Sequence, residues 1–140
     1  MLQPDTIHKP GTVAPDLSGM TLVIAEDDQY SFEYLKQIFR STGAEIVHAK
    51  DGIQLMKVLD QQMPDLVMLD VHMPEMNGYE CLDEMRARGI RTKVIVQTAS
   101  TLHEDRERIM KAGADSYICK PIRKNELFML VHSVLNRKQP

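Results

Sequence analysis

The sequence is poor in features that define several large classes of protein. It contains only two cysteines, Cys81 and Cys119, whose spacing fits neither a metal-binding motif nor a disulfide framework. Its formal net charge is -3, and no dense stripe of lysine and arginine runs along the chain. We therefore expect two reduced, packed thiols, no direct binding of nucleic acid and no direct contact with a membrane surface.

Long apolar runs are also missing. No stretch approaches the length that a helix needs to cross a bilayer, and the N-terminal region lacks the apolar core of a secretion signal. These absences predict a cytoplasmic location. At 140 residues the chain has the usual length of one domain, which can bury an ordinary core without disulfides or structural metal.

The one clear boundary lies near residue 20. Residues 1–20 show no period of 2 or 3.6, and we interpret them as a flexible linker or N-terminal arm. Residues 21–137 then form the folded domain. The arm is interrupted by proline and glycine at Pro4, Pro10, Gly11, Pro15 and Gly19.

From Thr21 onward, short β-favouring runs alternate with helical patterns. Such an alternation predicts a parallel sheet covered by helices, with the carboxyl ends of all strands on one rim. The predicted strands are 22–25, 45–49, 65–70, 93–98 and 116–120. The predicted helices are one that runs through Phe32, Leu35, Ile38 and Phe39 to Gly43, one capped by Asp51 and including Leu55, Val58 and Leu59, and three over 78–88, 102–111 and 124–136.

The third strand is apolar until it ends on Asp70, and a turn with Pro74, Asn77 and Gly78 follows. A continuously apolar run is typical of a strand buried on both faces. Asp70 then stands at the carboxyl end of a central strand, where open α/β sheets keep their chemistry.

Two of the predicted helices differ in the strength of their apolar faces. In the helix over 102–111, only Leu102, Ile109 and Met110 offer a buried face, so we expect it to pack weakly and to move. Gly89 should end the helix before it. The last helix has a clear core face, made of Leu127, Leu130, Val131, Val134 and Leu135.

Charged and hydroxyl side chains collect where the predicted strands end. Carboxylates about 4 Å apart repel by roughly 4 kcal/mol at an effective dielectric constant near 20, so three of them need positive charge between them. A lysine supplies one charge and a divalent cation would supply the rest. Oxygen ligands select a hard cation such as Mg²⁺, whereas zinc or copper is disfavoured because His72 is the only imidazole nearby. The converging residues are Glu26, Asp27, Asp70, Thr98 and Lys120.

A metal beside a free carboxylate, faced by an ammonium and a hydroxyl, suits phosphoryl transfer. Asp70 can attack phosphorus and become an acyl phosphate. Lys120 would then pair with one phosphoryl oxygen, and Thr98 would hydrogen-bond another.

Four short motifs together resemble the receiver domain of two-component response regulators, over roughly residues 21–137. They are Glu26-Asp27-Asp28, Asp70 to Pro74 with Gly78, Thr98-Ala99, and Lys120-Pro121. The resemblance implies a flavodoxin-like (βα)5 fold, a doubly wound parallel α/β sheet with strand order 2-1-3-4-5.

The resemblance also implies a role for each site residue. Asp70 is the aspartate that becomes 4-aspartylphosphate, and Lys120 is the phosphate-binding lysine. Thr98 is the switch hydroxyl and Tyr117 the switch aromatic. The implied Mg²⁺ ligands are the side chains of Glu26, Asp27 and Asp70 and the backbone carbonyl of His72.

By the same resemblance, the chain is a signalling phosphoacceptor that catalyses its own phosphorylation and dephosphorylation, rather than an enzyme with a separate substrate. The phosphoryl donor is a phosphohistidine on a sensor histidine kinase or a histidine phosphotransfer protein. The output goes to a downstream protein partner or to a second copy of the chain. The proline-spaced arm fits either a stand-alone receiver or the receiver of a hybrid histidine kinase.

Three alternatives remain. An aspartyl-phosphate phosphatase of the haloacid dehalogenase type normally has its nucleophile on the first strand and a second Asp two residues on, whereas Asp70 ends the third strand and His72 follows. A flavodoxin would need a phosphate-binding loop after the first strand. Glu26-Asp27-Asp28 stands there instead and would repel phosphate without a cation. A receiver-like interaction module that has lost phosphorylation conflicts with the intact set of five site residues.

Overall fold

The computed structural model describes residues 13–137 of the chain. Its strands are β1 (Thr21–Ala25), β2 (Glu45–Ala49), β3 (Leu66–Asp70), β4 (Lys93–Thr98) and β5 (Ser116–Cys119). Its helices are α1 (Gln29–Phe39), α2 (Gly52–Gln61), α3 (Gly78–Ala87), α4 (His103–Lys111) and α5 (Lys124–Asn136), with a 3-10 turn at Arg40–Thr42. Across residues 13–137, every helix is too short or too polar to span a bilayer.

The five strands form one parallel sheet in the order β2-β1-β3-β4-β5. This is the predicted flavodoxin-like strand order, in which the order reverses between β1 and β3. Asp70 pairs with Gln97, and Thr98 pairs with Cys119. Because these paired residues stand at or near the carboxyl ends of parallel strands, the carboxyl ends of β3, β4 and β5 lie at the same rim of the sheet.

Helices cover both faces of the sheet and create two cores. Along β4, Val94 and Val96 belong to the core under α2 and α3, whereas Ile95 belongs to the core under α1 and α5. This division follows from the alternation of side chains along a strand. All five residues of β3 are buried, as its continuous apolar run predicts.

Helix α4 is anchored more weakly than predicted. Ile109 is its one buried residue, whereas Leu102 is 61% exposed and Met110 is 42% exposed. The prediction that these two residues are buried is wrong for geometric reasons. Leu102 is the extended N-cap residue before the helix, and Met110 is rotated by about 100° around the helix axis from Ile109.

The other helices follow their predicted faces with two differences. In α5, Phe128 is fully buried although it was not predicted to be, while Leu130 and Leu135 are only partly buried against the core. In α2, Met56 is buried and Val58 is half-buried. Helix α3 buries the predicted residues, which are Cys81, Leu82 and Met85.

Three strand ends differ by one residue from the prediction, which is the usual uncertainty of such boundaries. Strand β1 begins at Thr21 rather than at Leu22. Strand β3 begins at Leu66, and the carboxylate of Asp65 just before it accepts a hydrogen bond from the backbone N–H of Thr21 at 2.9 Å. Strand β5 ends at Cys119, although the N–H of Lys120 still donates to the carbonyl of Thr98 at 2.8 Å. Gly89 follows α3 with a positive φ of 75°, as predicted for a helix end.

Both cysteines are free thiols, as predicted. Cys81 is fully buried in the core under α2 and α3, and Cys119 is half-buried. Burial raises the pKa of the Cys81 thiol to about 12, so this thiol stays protonated and unreactive at neutral pH.

The predicted N-terminal arm lies only partly within the described residues, since residues 1–12 are outside them. Leu17 is 3% exposed and packs into the core under α1 and α5, and its N–H donates to the carbonyl of Thr42 at 2.7 Å. A ring nitrogen of His132 lies 3.2 Å from the carbonyl oxygen of Val13. Part of the predicted arm therefore packs against the domain, while its role as a linker and the division at residue 20 stay predictions.

Gly78 is the point where α3 starts close against β3. Its N–H donates to the carbonyl of Val71 at 2.9 Å, and an added Cβ would lie 2.6 Å from the carbonyl oxygen of Asp70. We expect Gly78→Ala to lower the free energy of unfolding by about 1–3 kcal/mol, because the backbone beside Asp70 must move. Urea denaturation measures this change. The matched control is the exposed helical residue Ser133 changed to Ala, and equal stability of the two variants would contradict the prediction.

Candidate functional site

The acidic loop after β1 and the end of β3 meet at the rim of the sheet. One carboxylate oxygen each from Glu26, Asp27 and Asp70 lie within 4.8 Å of one another. Glu26 is 1% exposed and Asp70 is 4% exposed, whereas Asp27 is exposed to solvent. The adjacency of β1 and β3 brings these three acidic side chains together from distant parts of the sequence.

The third acidic residue of the loop, Asp28, has a different role. Its carboxylate caps α1 by accepting the backbone N–H of Ser31 at 2.9 Å. This hydrogen bond lowers the pKa of Asp28. The N–H of Asp28 in turn donates to Glu26 Oε2 at 3.2 Å, which holds the Glu26 carboxylate at the rim. The cap therefore fixes the start of α1 and orients the loop.

Lys120 reaches the cluster from the end of β5. Its Nζ lies 3.2 Å from Glu26 Oε1 and 3.2 Å from Asp70 Oδ2. Its backbone N–H is held by the carbonyl of Thr98, so the lysine is anchored to β4 as well. One ammonium thus pairs with two of the three carboxylates, and the cluster carries excess negative charge.

The excess of negative charge shifts the pKa values of Glu26 and Lys120. Burial, together with a hydrogen bond and charge repulsion from Asp70, raises the pKa of Glu26 to about 7. Burial alone would lower the pKa of Lys120, but the charges of Asp70 and Glu26 raise it above its usual value. A buried carboxylate that retains its proton near neutral pH indicates a site short of positive charge.

The donor set fits a hard divalent cation. All three side chains offer carboxylate oxygens, and Mg²⁺ prefers a small number of such ligands with the remaining positions left to water and phosphate. The N–H of His72 donates to Asp70 Oδ1 at 3.2 Å, which orients the second carboxylate oxygen. The backbone carbonyl of His72 as a further ligand stays a prediction.

The stability of the metal-free protein should fall as pH rises. The folded-state pKa of Glu26 is about 7 against an ordinary value of 4.5, so the folded state binds more protons than the unfolded state between these values. The unfolding free energy should therefore decrease from about pH 4.5 to about pH 7, by at most about 3 kcal/mol, and then level off.

Urea denaturation in a chelator, at about pH 5 and about pH 8, measures this decrease. We expect Glu26→Gln to flatten the dependence, because the variant cannot lose that proton. Millimolar Mg²⁺ should restore stability to the native protein at the higher pH, since it binds the folded state. Equal pH slopes in the native protein and in Glu26→Gln would contradict the assignment.

Thr98 lies on β4, the strand next to that of Asp70, and Tyr117 lies one strand further out, on β5. Thr98 is 4% exposed, and its Oγ1 accepts the N–H of Ser100 at 3.0 Å while retaining a hydroxyl hydrogen to donate. Tyr117 is half-buried on β5, opposite Val96. The guanidinium of Arg106 on α4 lies 5.5 Å from the centre of the Tyr117 ring, a cation–π distance.

Sequence reasoning missed two residues beside this site. Arg106 was interpreted only as part of a polar helix, because no local pattern shows which ring a flexible cation will cover. Gln97 was taken as an ordinary strand residue. A glutamine at the end of the apolar run Val94 to Val96 was the available signal for it.

Comparison with known proteins gives a consistent family. Residues 22–132 match the family model of the response regulator receiver domain. The Regulator of RpoS from Escherichia coli K12 is 34% identical over 120 residues, which cover 85% of this chain and 36% of that protein. Response regulator MprA from Mycobacterium leprae is 30% identical over 121 residues, which cover 86% of this chain and 53% of MprA. The chain thus spans between about a third and about half the length of these relatives.

Solved structures of receiver domains share the fold. The receiver domain of sensor histidine kinase PA1611 from Pseudomonas aeruginosa, with a magnesium ion coordinated in its active site cleft, is 29% identical. Its TM-score is 0.78, and the alignment covers 86% of this chain and 100% of that one. The receiver domain of a histidine kinase from Syntrophus aciditrophicus is 31% identical with a TM-score of 0.77, covering 86% and 96% of the two chains. With its parallel sheet and its acidic rim, this chain belongs to the response regulator receiver domain family of two-component signalling.

Proposed function

We propose that the domain accepts a phosphoryl group on Asp70 in a Mg²⁺-dependent reaction. The donor is the phosphohistidine of a sensor histidine kinase or of a histidine phosphotransfer protein. The observation that carries the proposal is the convergence of Glu26, Asp27 and Asp70 at one rim, with Lys120 Nζ 3.2 Å from Asp70 Oδ2. This arrangement combines a nucleophile, a set of metal ligands and a fixed cation.

In the transfer step, an Asp70 carboxylate oxygen attacks phosphorus. The bond between phosphorus and the donor's imidazole nitrogen breaks, and its electron pair stays on the imidazole. Lys120 pairs with a phosphoryl oxygen as the Asp70 charge is used in the new bond. Thr98 lies on the neighbouring strand and donates its hydroxyl hydrogen to another phosphoryl oxygen. The burial of Asp70 limits the approach of water to the acyl phosphate.

The ligands of the metal are the side chains of Glu26, Asp27 and Asp70, with the backbone carbonyl of His72. When bound, Mg²⁺ supplies the positive charge that neutralises phosphoryl oxygens. Two observations support this choice. The donor atoms of the three side chains are all oxygen, and the similar PA1611 receiver domain has magnesium coordinated in its active site cleft.

Incubation with acetyl phosphate tests the proposal directly. Intact-mass measurement should show the addition of one phosphoryl group, which depends on Mg²⁺ and is lost in excess chelator. Self-catalysed removal of the group should also require Mg²⁺. A chain that stays unmodified with both reagents present would refute the proposal and favour a receiver-like interaction module without phosphorylation. The phosphatase alternative has no support from the family match, and Asp70 ends β3 rather than β1.

Phosphorylation should signal through the surface formed by α4, β5 and α5. A charged hydrogen bond from Thr98 contributes about 1.5–3 kcal/mol, whereas moving a two-state domain from 1:99 to 99:1 requires about 5.5 kcal/mol. The phosphoryl group, Lys120, the metal and a partner must therefore act together. Helix α4, with Ile109 as its one buried residue, has the weakest anchoring and is the element we expect to move. The recipient is a downstream protein or a second copy of the chain.

Amide hydrogen exchange tests this switch. We expect exchange across residues 100–120 to change on addition of a phosphoryl mimic such as beryllofluoride with Mg²⁺, while β1 and β3 stay protected. The Asp70→Asn variant with the same reagents is the matched control, since it offers no carboxylate for the mimic. Identical exchange across residues 100–120 in the two states would contradict the proposed switch.

A further inference from the structure

His48 connects the edge strand β2 to the acidic loop after β1. It is half-buried, and its ring nitrogen Nε2 lies 2.8 Å from the backbone carbonyl oxygen of Glu26. A carbonyl oxygen can only accept a hydrogen bond, so Nε2 carries a hydrogen and donates it. The backbone N–H of Glu26 in turn donates to the carbonyl of Ala49 at 3.0 Å. Strand β2 therefore holds the main chain of Glu26 through both its N–H and its carbonyl.

The imidazole of His48 is itself held in place by α1. It stacks on the ring of Phe32, with 3.6 Å between the ring centres and 6° between the ring planes. Phe32 is buried and belongs to the core under α1 and α5. A ring that stacks on a buried side chain has little freedom to rotate, so the Nε2–H is already oriented toward the loop.

The carbonyl of Glu26 belongs to the peptide group that joins Glu26 to Asp27. Because a peptide group is planar, a hydrogen bond that fixes this carbonyl also fixes the N–H of Asp27 and limits the backbone torsions on either side. The Asp27 side chain is exposed to solvent, so its direction depends chiefly on these torsions. One of its oxygens lies within 4.8 Å of oxygens of Glu26 and Asp70, close enough for the three side chains to share one ion.

We propose that His48 is a positioning residue for the Mg²⁺ site, whose hydrogen bond to the Glu26 carbonyl holds the Asp27 carboxylate where a divalent cation can bind it. His48 acts through the loop rather than as a ligand, because its Nε2 is engaged by this carbonyl. Partners outside the coordination sphere raise metal affinity when they order the ligands in advance. The inference rests on the proposed Mg²⁺ site and adds the residue that orders it.

Three variants separate the hydrogen bond from the stacked ring. His48→Gln places an amide nitrogen as many bonds from the main chain as Nε2 and so keeps the donor. His48→Phe keeps an aromatic ring on Phe32 without the donor, and His48→Leu has neither. Titration of Mg²⁺ into the ¹⁵N-labelled full chain, followed by nuclear magnetic resonance at the backbone amides of Asp27 and Asp28, gives each dissociation constant. A pH of about 8 keeps Glu26 ionised, since its pKa is about 7.

We expect His48→Phe and His48→Leu to bind Mg²⁺ about three- to tenfold more weakly than the native protein, and His48→Gln to bind within about twofold of it. Because saturating Mg²⁺ orders the loop, the maximal rate of phosphorylation by acetyl phosphate should stay near the native value in His48→Phe. The Mg²⁺ concentration that gives half of this rate should rise. Urea denaturation should find His48→Phe as stable as the native protein, so that weaker binding does not reflect a loosened fold.

The possible outcomes distinguish this inference from the proposed function. If the native protein binds Mg²⁺ and the variants without a donor bind it equally well, the inference fails and the proposed metal site stands. Equal weakening in His48→Gln and His48→Leu would also overturn the inference, because the ring and not the donor would then matter. A native protein that binds no Mg²⁺ would overturn both. If His48→Phe fails to fold, His48→Leu and His48→Gln still give a complete comparison.

Discussion

The Asp70→Asn variant is expected to lose phosphorylation by acetyl phosphate, with a rate at least about 1,000-fold below that of the native protein. The amide that replaces the carboxylate is a poor nucleophile and cannot form the acyl phosphate. Asp70 is also one of three carboxylates within 4.8 Å of one another, so the variant loses a metal ligand. Intact-mass measurement over time gives the rate, and peptide mapping locates any phosphoryl group that remains.

The stability of Asp70→Asn separates loss of chemistry from loss of fold. Charge repulsion and a hydrogen bond from Asp70 contribute to the raised pKa of Glu26, so removal of the Asp70 charge should leave the metal-free protein at least as stable as before. The matched control is Asp83→Asn, since Asp83 is an exposed residue on α3. It should be phosphorylated at the native rate. A phosphoryl group that still forms at the native rate in Asp70→Asn would place the acceptor elsewhere.

The Lys120→Ala variant is expected to be phosphorylated at least about 100-fold more slowly than the native protein. Its ammonium is the cation that lies 3.2 Å from both Glu26 and Asp70, and phosphoryl oxygens would take the place of these partners during transfer. Without it, the transferred group faces two buried acidic side chains with one fewer positive charge. The initial rate with acetyl phosphate at saturating Mg²⁺ measures the effect.

The same substitution should lower the free energy of unfolding of the metal-free protein by about 2 kcal/mol above pH 7. Removal of one member of a buried ion pair leaves the other charge uncompensated, and the partial exposure of the lysine reduces this cost. Mg²⁺ should recover much of the lost stability. Lys57→Ala on the exposed face of α2 is the control for loss of a lysine. Native rates in Lys120→Ala would show that the lysine has no part in the transfer.

Much of the architecture was accessible before the structure because strand periodicity and apolar content are local. The run from Val67 to Asp70 indicated a strand buried on both faces, and β3 is buried throughout. Parallel strands joined by helices must also end on a common rim. The meeting of Glu26, Asp27 and Asp70 therefore followed from the order of short motifs.

Burial on the outer helices was less accessible because it depends on which neighbour covers a residue. Leu102 and Met110 looked like anchors of α4, yet both are exposed, and Ile109 is the one buried residue of the helix. Phe128 was missed because it lies beside the recognised apolar stripe of α5. Leu17, within the predicted linker, is buried because its partners come from distant parts of the chain.

From the sequence alone come the alternation of strands and helices, the parallel sheet and the identity of the residues at its rim, because each depends on local pattern and on rules of chain connection. The distances between side chains cannot be derived from the sequence alone, because they arise from the packing of elements far apart in the chain. The position of Lys120 Nζ between two carboxylates, the placement of Arg106 over Tyr117 and the contact of His48 with the Glu26 carbonyl each depend on groups from different elements meeting in space. No period or motif within one element specifies such a meeting.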